Sequence, residues 1–171
     1  MTALGQAIDG LDARLLEVLT TFPRAGTLEW ARRLGVARGT VQARTDRLER
    51  RGVIRGFGPS VDVEALGYDV LAFTTLEVAQ GRLNHVVEHL RDIPEVLEAH
   101  GTSGEGDLHC RVAARNNRDL QRVINRMLEV RGINRTTTVI ALSEQIGYRV
   151  LPLVTSTRMP QTEPGEALNG E

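Results

Sequence analysis

The stretch from Thr27 to Phe57 constrains this chain most, because its apolar spacing predicts two short helices joined by a tight turn. Leu28, Ala31 and Leu34 fall on one helical face, and Thr27 is expected to cap that helix. Gly35-Val36-Ala37 then supplies the short turn between the two helices. The pattern is that of a helix-turn-helix unit.

The second helix is predicted from Arg38 to Arg51, with Gly52 as its C-cap. After it, Val53 to Phe57 is expected to form a strand that opens a wing, with Val61 to Val63 able to pair with it. An earlier helix is predicted from the apolar spacing between Ile8 and Phe22, and Trp30 is expected in the shared core.

Positive charge is concentrated in this part of the chain. Thr27 to Phe57 carries eight arginines and three acidic residues, whereas acidic residues are in excess over the rest. Small residues at the start of the second helix would allow it to approach base edges in a major groove. We predict that Thr40, Gln42 and Arg47 reach bases and that Arg44 and Arg51 suit phosphates. The residues expected to contact double-stranded DNA are Arg38, Gly39, Thr40, Gln42, Ala43, Arg44, Arg47, Arg50, Arg51 and Arg55. The competing interpretation is a solvated, arginine-rich helix face with an ordinary Asp46 and Arg50 pair.

The second half of the chain is predicted to fold as strand, helix, strand, strand, helix, strand. The strands are expected at Tyr68 to Val78, Val96 to Thr102, Leu108 to Ala114 and Thr136 to Leu142. The fold class is therefore α+β, with an N-terminal three-helix winged helix-turn-helix domain and a C-terminal ferredoxin-like βαββαβ sandwich. The predicted boundaries are 1–58 for the DNA-binding domain, 59–67 for a linker, 68–152 for an effector-binding and oligomerisation domain, and 153–171 for a disordered tail. Helices on one sheet face only leave the other face for a second copy.

Composition excludes several classes of protein. All 21 basic residues are arginine, so a P-loop lysine, a kinase lysine and a Schiff-base lysine are absent. One cysteine allows no disulfide within the chain, which favours a reducing cytoplasm. No run of apolar residues is long enough for a membrane span or a secretory signal. We predict no enzyme activity, no cofactor and no bound metal.

The sequence also resembles the Lrp/AsnC, or feast/famine, family of transcriptional regulators. Its first part carries Ile8-Asp9-x-x-Asp12, then Thr27-Leu28-x-Trp30-Ala31, then Arg47-Leu48-Glu49-x-x-Gly52-Val53-Ile54, and its second part carries Gly104-x-x-Asp107. The resemblance covers about residues 8 to 145. It implies a RAM-type C-terminal domain, homodimers that often assemble into octamers, and an amino acid as effector. Ala37 stands where the family usually has a capping Ser, which is expected to weaken that helix start by about 1 kcal/mol. Gly106 stands where an aromatic residue often precedes the Asp.

The effector is expected at the glycine-rich loop between the second and third strands. Gly104 and Gly106 would expose backbone N–H groups to a carboxylate, and Asp107 would offer a negative partner to an α-ammonium group. The family places this loop where dimers meet, near the threonine-rich last strand. The predicted effector residues are Ser103, Gly104, Glu105, Gly106, Asp107, Thr136 and Thr138. The alternative is a tight hairpin in which Asp107 only caps the turn.

Other interpretations compete with that of a DNA-binding regulator that responds to an amino acid. His85-Val86-Val87-Glu88-His89 has the spacing of a zinc peptidase motif, but both histidines are expected on a solvated helix face without a third ligand. His100 and His109 lie in strands expected to pair, and the same fold is shared by siroheme decarboxylases, so a tetrapyrrole enzyme is the enzymatic alternative. A third alternative is an amino-acid sensor that does not bind DNA.

Overall fold

The computed structural model describes residues 8–156, in two compact units. The first unit contains the described residues up to Pro59 together with those from Gly147 onward, and the second spans Ser60–Ile146. The predicted boundaries assigned residues up to 152 to the second domain, whereas the structure returns the chain to the first unit at Gly147. The predicted disordered tail begins at 153, but residues up to Ser156 are helical, and 157–171 lie outside the described residues.

Four helices build the first unit: α1 (Gly10–Thr21), α2 (Thr27–Leu34), α3 (Arg38–Arg50) and, later in the chain, α6 (Leu151–Ser156). Leu15 and Leu48 are fully buried at the centre of its core, with Val41 beside them. Trp30 packs against this core, as predicted, and its indole N–H donates to the Phe22 carbonyl at 3.0 Å. The helix α6, which the sequence did not predict, lies against α1.

The helix ends show how the turns are fixed. Gly26 rather than the predicted Thr27 precedes α2 as its N-cap, and no side chain caps that helix. At the end of α3 the Val53 N–H donates to the Leu48 carbonyl at 2.9 Å, and the Gly52 N–H donates to Glu49 at 2.8 Å. This is the Schellman arrangement, for which Gly52 adopts a left-handed φ of 69°.

The predicted wing is not formed in the described residues. Neither Val53 to Phe57 nor Val61 to Val63 is a strand. A two-stranded ribbon has little stability of its own, and Gly56, Gly58 and Pro59 interrupt this one. Instead, the Phe57 ring stacks on Trp30 with ring centroids 6.4 Å apart.

The second unit is a four-stranded antiparallel sheet in the order β2-β3-β1-β4, with two helices. Its elements run β1 (Val70–Val78), α4 (Leu83–Arg91), β2 (Val96–Gly101), β3 (Leu108–Ala114), α5 (Asn117–Met127) and β4 (Ile133–Ile140). This order confirms the predicted ferredoxin-like arrangement. Both helices pack on the same face, because Val86 of α4 and Val123 of α5 share one core with Leu76 and Cys110 of the sheet.

Candidate DNA-binding and effector sites

The exposed face of α3 is presented by the core of the first unit. Val41, Thr45 and Leu48 are buried, so the opposite face reaches the surface. Among the predicted DNA-contacting residues, those exposed are Arg38, Gly39, Thr40, Gln42, Ala43, Arg50, Arg51 and Arg55. No side chain caps the start of α3, since Ala37 occupies the cap position.

Two polar side chains on this face are held by their neighbours. The Gln42 amide donates to the Asp46 carboxylate at 2.8 Å, and the Arg50 Nε donates to the Asp46 carbonyl at 3.2 Å. In contrast, Arg38 makes no hydrogen bond or ion pair through its side chain within residues 8–156. At the start of α3, the Arg38 guanidinium is therefore available to a ligand and lies beside the small residues Gly39 and Thr40.

Arg44 and Arg47 do not have the free guanidinium groups that the sequence led us to expect. Both are bound to the N-terminus of α1, where Asp12 is only 1% exposed. The Asp12 carboxylate accepts from Arg44 Nη1 at 2.8 Å and from Arg47 Nη2 at 2.7 Å. Asp9 also accepts from Arg44 Nη1, at 2.6 Å. Helical periodicity predicted Arg47 on the exposed face of α3. Its long side chain instead extends to the Asp12 carboxylate, whose position in space the periodicity of α3 does not show.

The two aspartates are placed by their own local chemistry. Asp9 caps α1, accepting from the Leu11 and Asp12 N–H groups at 2.9 and 2.8 Å, while Asp12 accepts from the Asp9 N–H at 3.2 Å. This is a capping box. The hydrogen bond from Arg44 is the main reason that the pKa of Asp9 lies below its ordinary value, with the Asp12 N–H adding to it. The spacing Asp9-x-x-Asp12 was the sequence signal for this cluster.

In the predicted effector loop, backbone N–H groups are open as expected. Within residues 8–156 the N–H groups of residues 103 to 106 have no acceptor. Gly104 and Gly106 both adopt positive φ, at 114° and 80°. A Cβ on Gly106 would overlap the Thr75 methyl group and lie 3.2 Å from the Leu76 carbonyl oxygen. This close approach leaves no room for the aromatic residue common at that position in the family.

Asp107 has a structural contact that the sequence did not reveal. Its Oδ2 accepts from the Val78 N–H at 2.6 Å, at the place where the pairing of β1 with β4 shifts register. Its own N–H donates to the Leu76 carbonyl at 2.8 Å. The expected ammonium partner is thus an exposed carboxylate with one oxygen already bound, which leaves Oδ1 for a ligand.

The two threonines of β4 lie on the helix-covered side of the sheet. Thr136 pairs with Leu76, the same residue that binds Asp107 from the other side of β1. Thr138 pairs with the buried Thr74, and their hydroxyl groups are 3.1 Å apart. The Thr136 hydroxyl is buried without a hydrogen-bond partner in the described part of the chain. Strand β1 therefore separates the loop from these threonines.

The sheet face without helices combines apolar and charged side chains. Phe73 stacks on His109 with centroids 5.7 Å apart, and Val139, the register partner of Phe73, is 57% exposed. His109 pairs directly with His100, as expected for adjacent strands. The His109 Nδ1 lies 3.2 Å from the Thr75 hydroxyl, so that ring already has two neighbours.

The zinc-like motif on α4 is divided by its surroundings. His85 and Glu88 are exposed, as predicted, but His89 is half-buried with Nε2 2.8 Å from the Arg126 carbonyl of α5. Across residues 8–156 no three His, Cys, Asp or Glu side chains are grouped for a metal ion. Nor does any helix in that range have the length and apolar character needed to cross a membrane.

Comparison with known proteins matches both units to one family. Residues 8–49 match the AsnC-type helix-turn-helix domain and residues 71–151 match the Lrp/AsnC ligand binding domain. The HTH-type transcriptional regulator FL11 of Pyrococcus furiosus is 30% identical over 146 residues, covering 85% of this chain and 97% of that protein. The structure of E. coli AsnC is similar with a TM-score of 0.79 at 30% identity, covering 86% of this chain and all of that one. A feast or famine regulatory protein from M. tuberculosis, complexed with L-methionine, gives a TM-score of 0.75 at 28% identity, covering 84% and 98% of the two chains.

Proposed function

This chain belongs to the Lrp/AsnC family of DNA-binding transcriptional regulators, and on that premise we propose how it contacts DNA and what it senses. The start of α3 enters the major groove, where Thr40 and Gln42 meet base edges and Arg38 meets phosphate. The observation that supports this is the exposed N-terminal part of α3, with its small residues and an unpaired Arg38. Arg44 and Arg47, being bound to Asp12, first serve to hold α3 against α1.

Substitution of Gln42 tests the groove contact. A duplex is first selected from a random pool by the full chain. Gln42→Ala is expected to weaken binding to it by about 1–3 kcal/mol and to relax preference at one base pair. Gln121→Ala is the matched control, because Gln121 makes the same type of i,i+4 bond, to Asn125 at 2.9 Å, on α5. Equal affinity and base preference in Gln42→Ala and wild type would refute this docking.

The second unit binds a free amino acid in our proposal. The relative bound to L-methionine supports this class of ligand, and the loop supplies groups for both of its charged ends. Open N–H groups at residues 103 to 106 receive the α-carboxylate, and Asp107 Oδ1 receives the α-ammonium. Thr136 and Thr138 lie on the other side of β1, so in this proposal they do not contact the ligand and affect its binding only by positioning β1. Binding here is expected to change DNA affinity with a coupling of about 1–3 kcal/mol.

A thermal-shift screen of the twenty amino acids, L-methionine included, tests the ligand site. An amino acid present at about 100 times its Kd stabilises the unit it binds by about 2.7 kcal/mol. Asp107→Asn is the sharpest variant, since it keeps an oxygen for the Val78 N–H while removing the charge. We expect it to lose most of the shift, whereas Glu129→Gln, an exposed residue after α5, keeps it. An equal shift in Asp107→Asn would place the ammonium partner elsewhere.

We also propose that a second copy covers the helix-free sheet face. Leu71, Phe73 and Val139 give that face an apolar centre, and Glu98 and Arg111 form a 3.7 Å ion pair at its side. Two-fold symmetry would then set two α3 helices on DNA half-sites about one helical turn apart, or a multiple of it. We further propose that such dimers assemble into octamers and that the protein acts in the cytoplasm, where DNA is available.

A further inference from the structure

Arg44 is held by two carboxylates whose surroundings differ. Its Nη1 lies 2.6 Å from Asp9 Oδ2, 2.8 Å from Asp9 Oδ1 and 2.8 Å from Asp12 Oδ1. Asp12 is buried, whereas the Asp9 side chain is 50% exposed and the Arg44 side chain 25%. The Asp12 contact is therefore part of the core, while the Asp9 contact lies at the surface, where another anion can replace it.

A DNA phosphate is an anion of the kind that could do so. Guanidinium groups bind carboxylates and phosphates through the same pairs of N–H donors. Within residues 8–156, Arg44 uses only Nη1 in its hydrogen bonds, so Nη2 and Nε remain as donors. Arg44 lies on the flank of α3, beside the face that reads DNA, and Asp9 is the residue directly before α1.

Resting on the DNA-binding function above, we propose that Asp9 is a specificity-determining residue, whose carboxylate occupies Arg44 in competition with a DNA phosphate. Phosphate contacts supply nearly all non-specific affinity, whereas base contacts distinguish one sequence from another. A phosphate that takes Nη1 must displace Asp9, and one that takes Nη2 and Nε lies on a guanidinium whose charge Asp9 already offsets. In either case Arg44 adds little to binding at an arbitrary sequence. The base contacts of α3 are unaffected, and the ratio of specific to non-specific binding rises. The lowered pKa of Asp9 is consistent with a carboxylate that stays charged and keeps its hold on Arg44 at neutral pH.

Removing the Asp9 charge without removing its cap tests this. Asparagine and serine are both good N-cap residues, so Asp9→Asn and Asp9→Ser keep an acceptor for the Leu11 and Asp12 N–H groups. Glu49→Gln is the matched control, because it deletes one negative charge from α3 itself and, in the described residues, the hydrogen bonds and ion pairs of Arg44 go to Asp9 and Asp12, not to Glu49. Binding of the full chain to a random-sequence duplex is measured by fluorescence anisotropy over a series of salt concentrations.

We expect both Asp9 variants to bind the random duplex about tenfold tighter than wild type at low salt. The slope of log affinity against log salt should steepen by about 0.9 for each α3 that gains a phosphate. Glu49→Gln should leave the slope unchanged. In the double variant Asp9→Asn with Arg44→Gln, the gain in affinity and in slope should both disappear. Trp30 fluorescence melts identify any variant whose first unit is destabilised.

Three results would each overturn the proposal: an unchanged slope in Asp9 variants that melt like wild type, an equal gain in Glu49→Gln, or a gain that survives loss of Arg44. These differ from failure of the DNA-binding function itself. In that case wild type would bind neither the random duplex nor any selected sequence.

Discussion

At the scale of single residues, the Asp12 carboxylate accepts hydrogen bonds from three residues of the first unit. It accepts from the Asp9 N–H, which completes the capping box of α1, and from the Arg44 and Arg47 guanidinium groups. Through it, two side chains of α3 are tied to α1 by bonds that cross more than 30 residues of chain. A buried carboxylate is tolerated here because its charge is matched by guanidinium groups.

Asp12→Asn should therefore destabilise the first unit. Removing one partner of a wholly buried pair costs about 3–5 kcal/mol, but both arginines here reach water, so we expect about 2 kcal/mol. Urea unfolding followed by Trp30, the one tryptophan of the chain, reports on this unit. Asp46→Asn, an exposed aspartate on α3, should cost less than about 1 kcal/mol. Equal midpoints for the two variants would mean that the buried pairing adds no stability.

At the scale of helices and strands, much was predictable because it depends on local rules. The bounds of β3 followed from the apolar pattern of its sequence. The start of β4 did not, since Ile133 joins the sheet only through its pairing with Val78 across a shift in register. The predicted wing was wrong because a strand also needs a pairing partner, and the spacing of apolar residues does not show whether a partner is present.

The contacts that define the candidate sites were less predictable than the elements that carry them. Asp107 was found by its place in a glycine-rich loop, but its bond to Val78 depends on how two strands meet. Likewise, the alternation of β1 and β4 allows either face to be inward, and only the packing of α4 and α5 places Thr136 and Thr138 on the covered side. Long-range pairing of charged groups leaves no periodic signal in one sequence.

One such pairing links α5 to the start of β2. The Glu95 Oε1 accepts from Arg122 at 2.6 Å, and the more distant Arg126 lies 3.9 Å from Oε2. The hydrogen bond from Arg122 holds the pKa of Glu95 below its ordinary value of 4.5. A depressed pKa means that the stabilisation is present above pH 4.5 and is lost as the pH falls through the lower value of the folded state.

Glu95→Gln should thus flatten the acid side of the stability curve of the second unit. At pH 7 the variant should be less stable by about 1 kcal/mol, a modest value because Arg122 is largely exposed. As the pH falls below 4.5 and through the lower folded-state pKa of Glu95, the two proteins should converge, since wild type then loses the same interaction. Thermal melts by circular dichroism from pH 3 to 7 measure this, with Glu129→Gln as the control. Parallel curves for Glu95→Gln and wild type would show that the pairing does not contribute.

At the scale of the whole molecule, the helix-free sheet face is the proposed interface between two copies. Phe73 lies at the centre of that face, between Arg111 of β3 and Val139 of β4. Its neighbours Ala72 and Thr74 are buried on the other side, so substitution of Phe73 leaves the core of the unit intact. The same face carries His109 stacked on Phe73, which fixes the orientation of both rings.

Phe73→Glu is expected to separate the dimer. Burial of an aromatic side chain contributes about 1.5–3 kcal/mol, and two-fold symmetry makes the loss occur twice, which raises the dimer Kd by at least about 100-fold. Leu128→Glu is the control, since Leu128 is also a partly exposed apolar residue of this unit but follows α5 on the helix side. Sedimentation velocity of the full chain at micromolar concentration should show wild type and Leu128→Glu as dimers or larger, and Phe73→Glu as a folded monomer. Since dimers present two α3 helices at once, the monomer should also lose most of its affinity for a two-half-site duplex. A wild-type monomer, or a dimer that survives Phe73→Glu, would show that this face is not the interface.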